Sequence, residues 1–448
     1  MKLRTLFVLC LVALVACQLV VAQNAATNVQ KLAVAARSIP HGLPVVPVNS
    51  VAPGTPRPHI WVADFVGAKA NVGPNLPSFC NVANGLGGFN WCPNALQVAY
   101  GTNDILSANG GAGMTIAIVD AFHYPNVESD LAFFNNEMGL PACTKANGCF
   151  SNLDQNGNDA QFTRCSRNSN WELETMLDVE WAHAMAPKAK IMLVEGCTNS
   201  FDDLLAAVHT AIAKGADVVS NSYGAGEFSG ESSMDSEYFQ QVPILFSSGD
   251  DAAAGKQYPC ASSNITCIGG TRLMPKSSTD FHRGTETGWT LSGGGCALGE
   301  EPAPGWQTGN GVNVCGGTRN MPDIAAIADG DTGVIVYDSG NGGHFRVGGT
   351  SVACPVMAGI FADLDTARTT VMPTLLRKPK LAGSASPNYV NKGLYLKYAG
   401  HNTGNPYVFY YFDVIGGNNG YNAVAGYDLV TGLGVLTGSH AGPPWNLP

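Results

Sequence analysis

Residues 114–121, MTIAIVDA, form a mostly apolar run whose next-to-last residue is an aspartate. Four further runs contain a similar apolar stretch: KIMLVEG (190–196), DVVSNSYG (217–224), PILFSSGD (243–250) and GVIVYD (333–338). Strands buried on both faces read as continuous Val- and Ile-rich runs rather than as alternating ones. The pattern therefore predicts buried, parallel β-strands.

Helix-like stretches lie between these runs, most clearly WELETMLDVEWAHAM (171–185) and DDLLAAVHTAIAKG (202–215). Strands that alternate with helices predict an α/β fold, in which a parallel sheet carries helices on both faces. Such sheets place their chemistry at the carboxyl ends of the strands. Asp120, Tyr223 and Asp250 stand at those ends and are candidate site residues.

Composition narrows the class of protein. The chain has 448 residues, 45% of them hydrophobic and 13% charged, with a net charge of −10 at pH 7. That is enough apolar material for a large core. The negative charge argues against nucleic acid and anionic membranes as partners.

The N-terminus predicts export. Residues 1–22 carry Lys2 and Arg4, then an uncharged apolar stretch, then small residues, as in a secretory signal peptide. No later segment is long and apolar enough to span a membrane. Residues 23–92 are rich in Pro, Val and Ala and are interpreted as a linker or short pro-segment. Residues 93–440 are interpreted as a single domain of a secreted, extracellular protein, with an acidic vacuole or lysosome as the alternative location.

Thirteen cysteines support this localisation, because exported proteins form disulfides. Close spacing predicts three bridges, and the remaining cysteines supply two more: Cys143–Cys149, Cys260–Cys267, Cys296–Cys315, Cys80–Cys92 and Cys165–Cys197. Cys354 is left over inside an apolar run and is expected to be a buried free thiol.

Two acids share one face of the 171–185 helix. At ~100° per residue, Glu174 and Asp178 fall on the face that also carries Trp181, whereas Glu180 and His183 fall on the far side. Residues four apart stand ~5–6 Å from each other at Cβ. If that face is buried, desolvation and repulsion raise the pair's affinity for protons. The alternative is two ordinary solvated acids.

Ser351 lies in GGTSVACPVMAG (348–359), where glycines precede an apolar helical run. A serine at a helix start is either an N-cap or a nucleophile. Asp250, in SSGD, has a similar alternative as a turn-forming residue. Neither position decides the chemistry alone.

Together these stretches resemble a known family. GTSVACP is similar to the Gly-Thr-Ser-x-x-x-Pro motif of the subtilisin superfamily, but Glu174 stands where subtilisins carry the catalytic histidine. Asp250 stands where they carry the oxyanion-hole asparagine. Both replacements are typical of the sedolisins, the serine-carboxyl peptidases. The resemblance covers about 93–440 and implies a subtilisin-like fold.

The resemblance also implies roles. Ser351 would be the nucleophile, Glu174 the general base and Asp178 the residue that orients it, with Asp250 donating to the oxyanion. Asp120 would be an acid behind Asp178. Ser222, Tyr223 and Gly224 would pair with the backbone of a peptide substrate.

A metal site is implied near the C-terminus. Residues 413–428, DVIGGNNGYNAVAGYD, resemble the calcium loop of sedolisins, with Asp413, Val414, Val424, Gly426 and Asp428 as ligands of one Ca²⁺. Carboxylates and backbone carbonyls are the ligands that calcium prefers. By composition alone, an ordinary loop is the alternative.

The sequence is thus interpreted as a secreted, monomeric serine endopeptidase that hydrolyses protein or peptide substrates at acidic pH. A tripeptidyl-type aminopeptidase is one alternative. A secreted binding protein that kept the fold and lost turnover is another. A histidine-dependent subtilisin that uses His183 is disfavoured, because His183 faces away from the two acids.

Overall fold

The computed structural model describes residues 54–68, 76–84, 87–102, 110–160, 165–240, 242–309, 312–371, 389–399 and 411–436. The predicted signal peptide lies outside these residues. The described strands, numbered along the chain, are β1 Arg57–Pro58, β2 Trp61–Ala68, β3 Val82–Ala83, β4 Phe89–Asn90, β5 Thr115–Ala121, β6 Phe150–Asp154, β7 Lys190–Gly196, β8 Val218–Asn221, β9 Tyr223–Gly226, β10 Ile244–Ser247, β11 Gln257–Tyr258, β12 Thr266–Pro275, β13 Arg283–Gly288, β14 Gly295–Cys296, β15 Asn320–Met321, β16 Ile324–Ile327, β17 Val334–Asp338, β18 Gly343–Gly348, β19 Tyr411–Phe412 and β20 Val435–Leu436. The described helices are α1 Pro93–Tyr100, α2 Val127–Met138, α3 Ser169–Met185, α4 Phe201–Ala213, α5 Thr350–Val371 and α6 Tyr389–Ala399.

A mainly parallel sheet forms the centre, in the order β13-β12-β10-β8-β5-β7-β6, with β16 also paired to β12. Its neighbours are parallel except for β13, which runs antiparallel to β12. Strands β8 and β10 are buried throughout, and β5 is buried after its first residue. The predicted α/β fold class is therefore confirmed.

Helices cover both faces of this sheet. Ala117 and Val119 of β5 pack in one apolar cluster with Leu204 and Val208 of α4. Side chains alternate along a strand, so Asp120 points to the opposite face, where α3 and α5 lie. The two helices approach closely, because a Cβ on Gly359 of α5 would lie 2.5 Å from Met185 Cβ.

Two segments differ from the sequence-based interpretation. The run 333–338 does not join the parallel sheet, since β17 pairs antiparallel with β18 and β18 pairs antiparallel with β2. An apolar run predicts burial but not the partner strand. Residues 61–68, interpreted as part of a linker or pro-segment, form β2 of this second sheet.

The five predicted disulfides form, and Cys354 is a buried free thiol. Within the part of the chain that the structure describes, no helix is long and apolar enough to cross a membrane.

Candidate active site

Ser351 lies at the start of α5, where the backbone enters the helix through Gly349 at φ +99°. Its side chain is fully buried. Its hydroxyl donates to the backbone oxygen of Ser222 at 3.2 Å, and its backbone N–H donates to the oxygen of His59 at 3.1 Å. The hydroxyl therefore faces the carboxyl ends of the strands and does not cap the helix.

Glu174 and Asp178 stand one turn apart on α3, and both are fully buried. Asp178 Oδ1 accepts a hydrogen bond from the Ser222 hydroxyl at 2.9 Å. Among the described residues, neither Glu174 oxygen has a hydrogen-bond partner of normal length. The alternative of two solvated acids is thereby excluded.

Burial raises the pKa of Glu174 well above its usual range, and the charges of Asp178 and Asp120 add to this effect. The nearby Ser351 hydroxyl lowers the Glu174 pKa, because it stabilises the ionised form. Burial, followed by the charge of Asp120, also raises the pKa of Asp178. Two such acids share a proton and titrate as a pair.

Asp120, at the carboxyl end of β5, is a third acid in this group. It is fully buried, and burial raises its pKa to about 8, while the Thr175 hydroxyl opposes the shift. The charge of Asp120 raises the pKa of both Glu174 and Asp178, and among the described residues no hydrogen bond joins it to Ser351.

Asp250 lies just beyond β10, after Gly249 at φ +99°. Its Oδ1 accepts from the backbone N–H of Thr350 at 2.8 Å and from the Thr350 hydroxyl at 2.9 Å. Its Oδ2 is buried and, among the described residues, has no partner. Burial raises the pKa of Asp250 to about 7, so a proton on Oδ2 makes it a donor in acidic solution.

The free Asp250 oxygen and the Ser351 amide converge on one small volume. A Cβ on Gly349 would fall 2.7 Å from Asp250 Oδ2 and 2.1 Å from the backbone oxygen of His59. The Ser351 N–H already donates to that His59 oxygen. Asp250 Oδ2 makes no hydrogen bond to that oxygen in the described residues, but it lies on the same side of Gly349, where a second donor would stabilise a tetrahedral oxyanion.

The strand expected to bind the backbone of a peptide substrate pairs with an extended segment of this same chain. Tyr223 and Gly224 of β9 pair antiparallel with Pro58 and Arg57 of β1. This partner could not be predicted, since the segment around 57–59 lacks periodicity. Arg57, His59 and Thr350 are the site residues that sequence reasoning missed.

His183 lies away from this site. It is buried, and its Nε2 bonds to the backbone oxygen of Pro141 at 3.0 Å. Glu180, on the same side of α3, accepts from the backbone N–H of Tyr337 at 3.1 Å. The predicted division of helix faces agrees with these contacts, although the far side is buried rather than solvated.

In the proposed calcium loop, each of the two acids accepts hydrogen bonds from the loop's own backbone. The Gly426 N–H donates to both oxygens of Asp413, at 3.2 and 3.1 Å, and the Val424 N–H donates to Asp428 Oδ2 at 3.1 Å. Val414 is fully buried, and burial raises the pKa of Asp428 to about 6. A bound cation would relieve this penalty, so the oxygen-rich donor set fits a hard ion such as Ca²⁺.

The buried acids predict an unusual pH dependence of stability. Unfolded carboxyls titrate near pH 4, whereas burial holds the pKa of Asp250 at about 7 and that of Asp120 at about 8. Between these values the folded state binds more protons than the unfolded state. The free energy of unfolding should therefore fall as pH rises from 4 to 8, by about 1.4 kcal/mol per pH unit for each such proton.

This expectation is measured by urea unfolding at pH 5 and pH 8, in Ser351→Ala protein to prevent self-digestion. Asp250→Asn in the same background should reduce the slope, because its amide does not titrate. Equal or greater stability at pH 8 would show that these acids are not held protonated by the fold.

Residues 157–379 match the subtilase family. Sedolisin from Pseudomonas sp. (strain 101) is 30% identical over 200 residues, which cover 42% of this chain and 30% of sedolisin. Xanthomonalisin from Xanthomonas sp. (strain T-22) is 28% identical over 200 residues, covering 39% of this chain and 20% of that protein. Tripeptidyl-peptidase sed1 from Aspergillus fumigatus is 34% identical over 122 residues, covering 26% of this chain and 15% of that protein.

The chain therefore spans less than a third of the length of each of these relatives. Among solved structures, Pseudomonas sedolisin in complex with pseudo-iodotyrostatin superposes with a TM-score of 0.61 at 24% identity. The superposition covers 78% of this chain and 95% of that structure. This likeness shows the fold.

Proposed function

This chain carries a subtilase-family domain and is related to the sedolisins, and from that premise we propose that it is a serine-type endopeptidase that is active at acidic pH. The supporting observation is that three buried acids surround the Ser351 position. Glu174 adjoins the Ser351 hydroxyl, and Asp178 accepts from the Ser222 hydroxyl. Asp250 accepts from the N–H and hydroxyl of Thr350.

The proposed mechanism follows from these positions. Glu174 takes the proton of the Ser351 hydroxyl as the oxygen attacks a peptide carbonyl. Asp178 is held by the Ser222 hydroxyl and keeps the shared proton beside Glu174. Glu174 then returns its proton to the leaving amine. Water hydrolyses the resulting ester in the reverse sequence.

Acidic solution favours this chemistry through Asp250. Below its pKa of about 7, the neutral carboxyl donates from Oδ2 to the developing oxyanion. Above that pH the carboxylate cannot donate, and its charge repels the oxyanion. Activity is therefore expected to decline as pH rises through 7.

One assay tests the proposed function and its main alternative. Denatured protein and a pair of peptides, one N-blocked and one with a free amine, are incubated at pH 4 and pH 8. An endopeptidase cleaves the denatured protein and the blocked peptide at pH 4. The tripeptidyl alternative, which the sed1 relative favours, cleaves only the peptide with a free amine. Cleavage of none of these would favour the binding protein that lost turnover.

The role of Asp250 predicts different effects for two substitutions. Asp250→Ala removes the donor and should lower kcat about 10²- to 10³-fold at pH 4. Asp250→Asn keeps an amide donor at the Oδ2 position, so it should retain more activity and lose the decline near pH 7. The measurement is kcat as a function of pH for wild type and both variants. An Asp250→Ala rate within twofold of wild type would remove Asp250 from the mechanism.

We also propose that the loop 413–428 holds one Ca²⁺. The carboxylates of Asp413 and Asp428 would bind the ion, together with backbone carbonyls of Val414, Val424 and Gly426. The ion would neutralise the buried Asp428 and fix the loop, and it takes no part in the peptide chemistry.

Calcium removal should lower thermal stability. With excess EDTA, the melting temperature of Ser351→Ala protein is expected to fall by about 5 °C or more, and added CaCl₂ should restore it. In Asp428→Asn protein the EDTA shift should shrink. An unchanged melting temperature in EDTA would remove the ion from the proposal.

Secretion is proposed on two grounds. The first 22 residues have the pattern of a signal peptide, and ten cysteines pair in five bridges, which suits an oxidising compartment. We further propose that the mature enzyme is a monomer that acts on protein or peptide substrates.

A further inference from the structure

The protein's own chain lies across the proposed active site. We propose that residues 57–60 occupy it as a substrate and that the peptide bond between His59 and Ile60 is a self-cleavage site. This inference rests on the proposed peptidase function, and it adds the bond that is cut and the chemistry of the residues that precede it.

The backbone of this segment is bound as a substrate strand would be. Arg57 pairs with Gly224 and Pro58 with Tyr223 in an antiparallel arrangement, and the His59 N–H donates to the Ser222 oxygen at 3.1 Å. Extended peptides commonly bind by adding a strand to an edge. The pairing ends at His59, directly beside Ser351.

The His59 carbonyl occupies the position where attack would occur. Its oxygen accepts from the Ser351 N–H at 3.1 Å and lies on the same side of Gly349 as Asp250 Oδ2. The Ser351 hydroxyl donates to the same Ser222 oxygen that binds the His59 N–H. The nucleophile therefore adjoins the His59 carbonyl, whose oxygen is bound by the Ser351 N–H and lies, like Asp250 Oδ2, close to Gly349.

The side chain of His59 fills a buried polar pocket. Its Nδ1 bonds to the Ser247 hydroxyl at 2.7 Å, and the ring adjoins Gln257. A Cβ on Gly224 would lie 2.9 Å from His59 Cε1, so a glycine at 224 makes room for the ring. The pocket is thus matched to an imidazole or a polar group of similar size.

A second contact selects a basic residue two positions before His59. The guanidinium of Arg57 forms an ion pair with the carboxylate of Asp251, whose side chain is largely buried. Charge-assisted hydrogen bonds of this kind are stronger than neutral ones. The cleft therefore favours peptides with a histidine directly before the cut and a basic residue two positions before that histidine.

The chain on the two sides of the bond is held differently. After the bond, β2 pairs along its length with β18, the strand that leads to Ser351. Before the bond, the chain is held by the contacts of His59, the β1–β9 pair, the Arg57 ion pair and a hydrogen bond from Asn199 Nδ2 to the Pro56 oxygen at 2.8 Å. Cleavage would leave Ile60 as an anchored N-terminus and let the preceding segment leave the cleft.

The step balances without any external reagent except water. Ser351 Oγ forms an ester with the His59 carbonyl carbon, and its proton passes to Glu174. The bond between that carbon and the Ile60 nitrogen breaks, and the nitrogen takes the proton from Glu174 to become an amine. Water then hydrolyses the ester, which frees the Ser351 hydroxyl and leaves His59 with a carboxyl group.

The test uses the full chain, incubated at pH 4 and analysed by intact mass and N-terminal sequencing. Wild type should convert to a species that begins at Ile60, at a rate independent of protein concentration. Ser351→Ala protein should keep the bond between His59 and Ile60 intact. A wild-type N-terminus that maps elsewhere, in protein that hydrolyses other substrates, would overturn the inference.

A blocked peptide with the sequence of residues 55–62, TPRPHIWV, provides an assay that does not depend on how the variants fold. Wild type should cut it between His and Ile, and replacing its Arg by Gln should lower kcat/KM about tenfold. Asp251→Asn should reduce this preference for Arg. If denatured protein is cleaved but this bond is spared, the inference fails and the proposed function stands. If no substrate is cleaved, both fail.

Discussion

Replacing Ser351 by alanine is expected to lower the hydrolysis of denatured protein at pH 4 by about 10⁴- to 10⁶-fold. The substitution removes the oxygen that attacks the peptide carbonyl, and the neighbouring acids then have no hydroxyl to activate. The Ser351 side chain donates a single hydrogen bond, to Ser222, so the loss of folding stability should be about 1 kcal/mol. Initial rates on denatured protein, with urea unfolding of the same samples, measure both effects.

Ser220→Ala is the matched control for this substitution. Ser220 is also a fully buried serine near the site, but its hydroxyl bonds to the thiol of Cys354 at 3.3 Å and faces no reacting group. Its activity should stay within a few fold of wild type. Undiminished hydrolysis by Ser351→Ala would assign the nucleophile to another residue.

The central sheet could be predicted from sequence because its strands are buried on both faces. Apolar runs such as 114–121 and 190–196 must be buried on both faces, and the centre of a parallel sheet provides such burial. The second sheet could not be predicted in this way. Its strand 334–338 is similarly apolar but pairs with 343–348, and its third strand, 61–68, lies in the Pro-rich stretch 23–92, which has no clear period. Which strands pair in the second sheet depends on backbone hydrogen bonds, and amino-acid composition does not determine these.

Helical periodicity placed Glu174 and Asp178 on one face, and the structure brings both toward Ser222 and Ser351. Periodicity could not show that every residue from Trp171 to Met185 is buried. A helix enclosed on all sides has no polar face to contrast with an apolar one. The burial, rather than the spacing, is what raises the pKa of the two acids.

The segment that occupies the cleft carried no sequence signal. His59 and Arg57 meet the site through backbone pairing and through side chains far away in the sequence, such as Asp251. Only the folded chain brings a Pro-rich segment near residue 58 to the start of a helix near residue 350. Resemblance to a family supplied the roles of the acids, but not this contact.

Glu174→Gln is expected to lower the rate at pH 4 about 10⁴-fold or more. Glutamine has the size of glutamate, but its amide cannot take the Ser351 proton at any pH used. Since burial penalises the charged form at position 174, a neutral amide of the same size should be tolerated there, and folding should not suffer. The loss should therefore appear in kcat and not in the melting temperature.

Glu180→Gln controls for the loss of a buried acid on the same helix. Glu180 is fully buried, and burial raises its pKa as well, but its oxygen accepts from the Tyr337 backbone rather than facing Ser351. This variant should keep activity within a few fold of wild type. A comparable loss in Glu180→Gln would mean that the helix as a whole, and not position 174, is sensitive.

The most direct measurement compares single-turnover acylation by the TPRPHIWV peptide at pH 4 in wild type, Glu174→Gln and Glu180→Gln. If a carboxyl group activates Ser351 in place of an imidazole, acylation should fail in Glu174→Gln and proceed in wild type and in Glu180→Gln. Full-speed acylation in Glu174→Gln would contradict that mechanism, because the serine would then be activated by some other group.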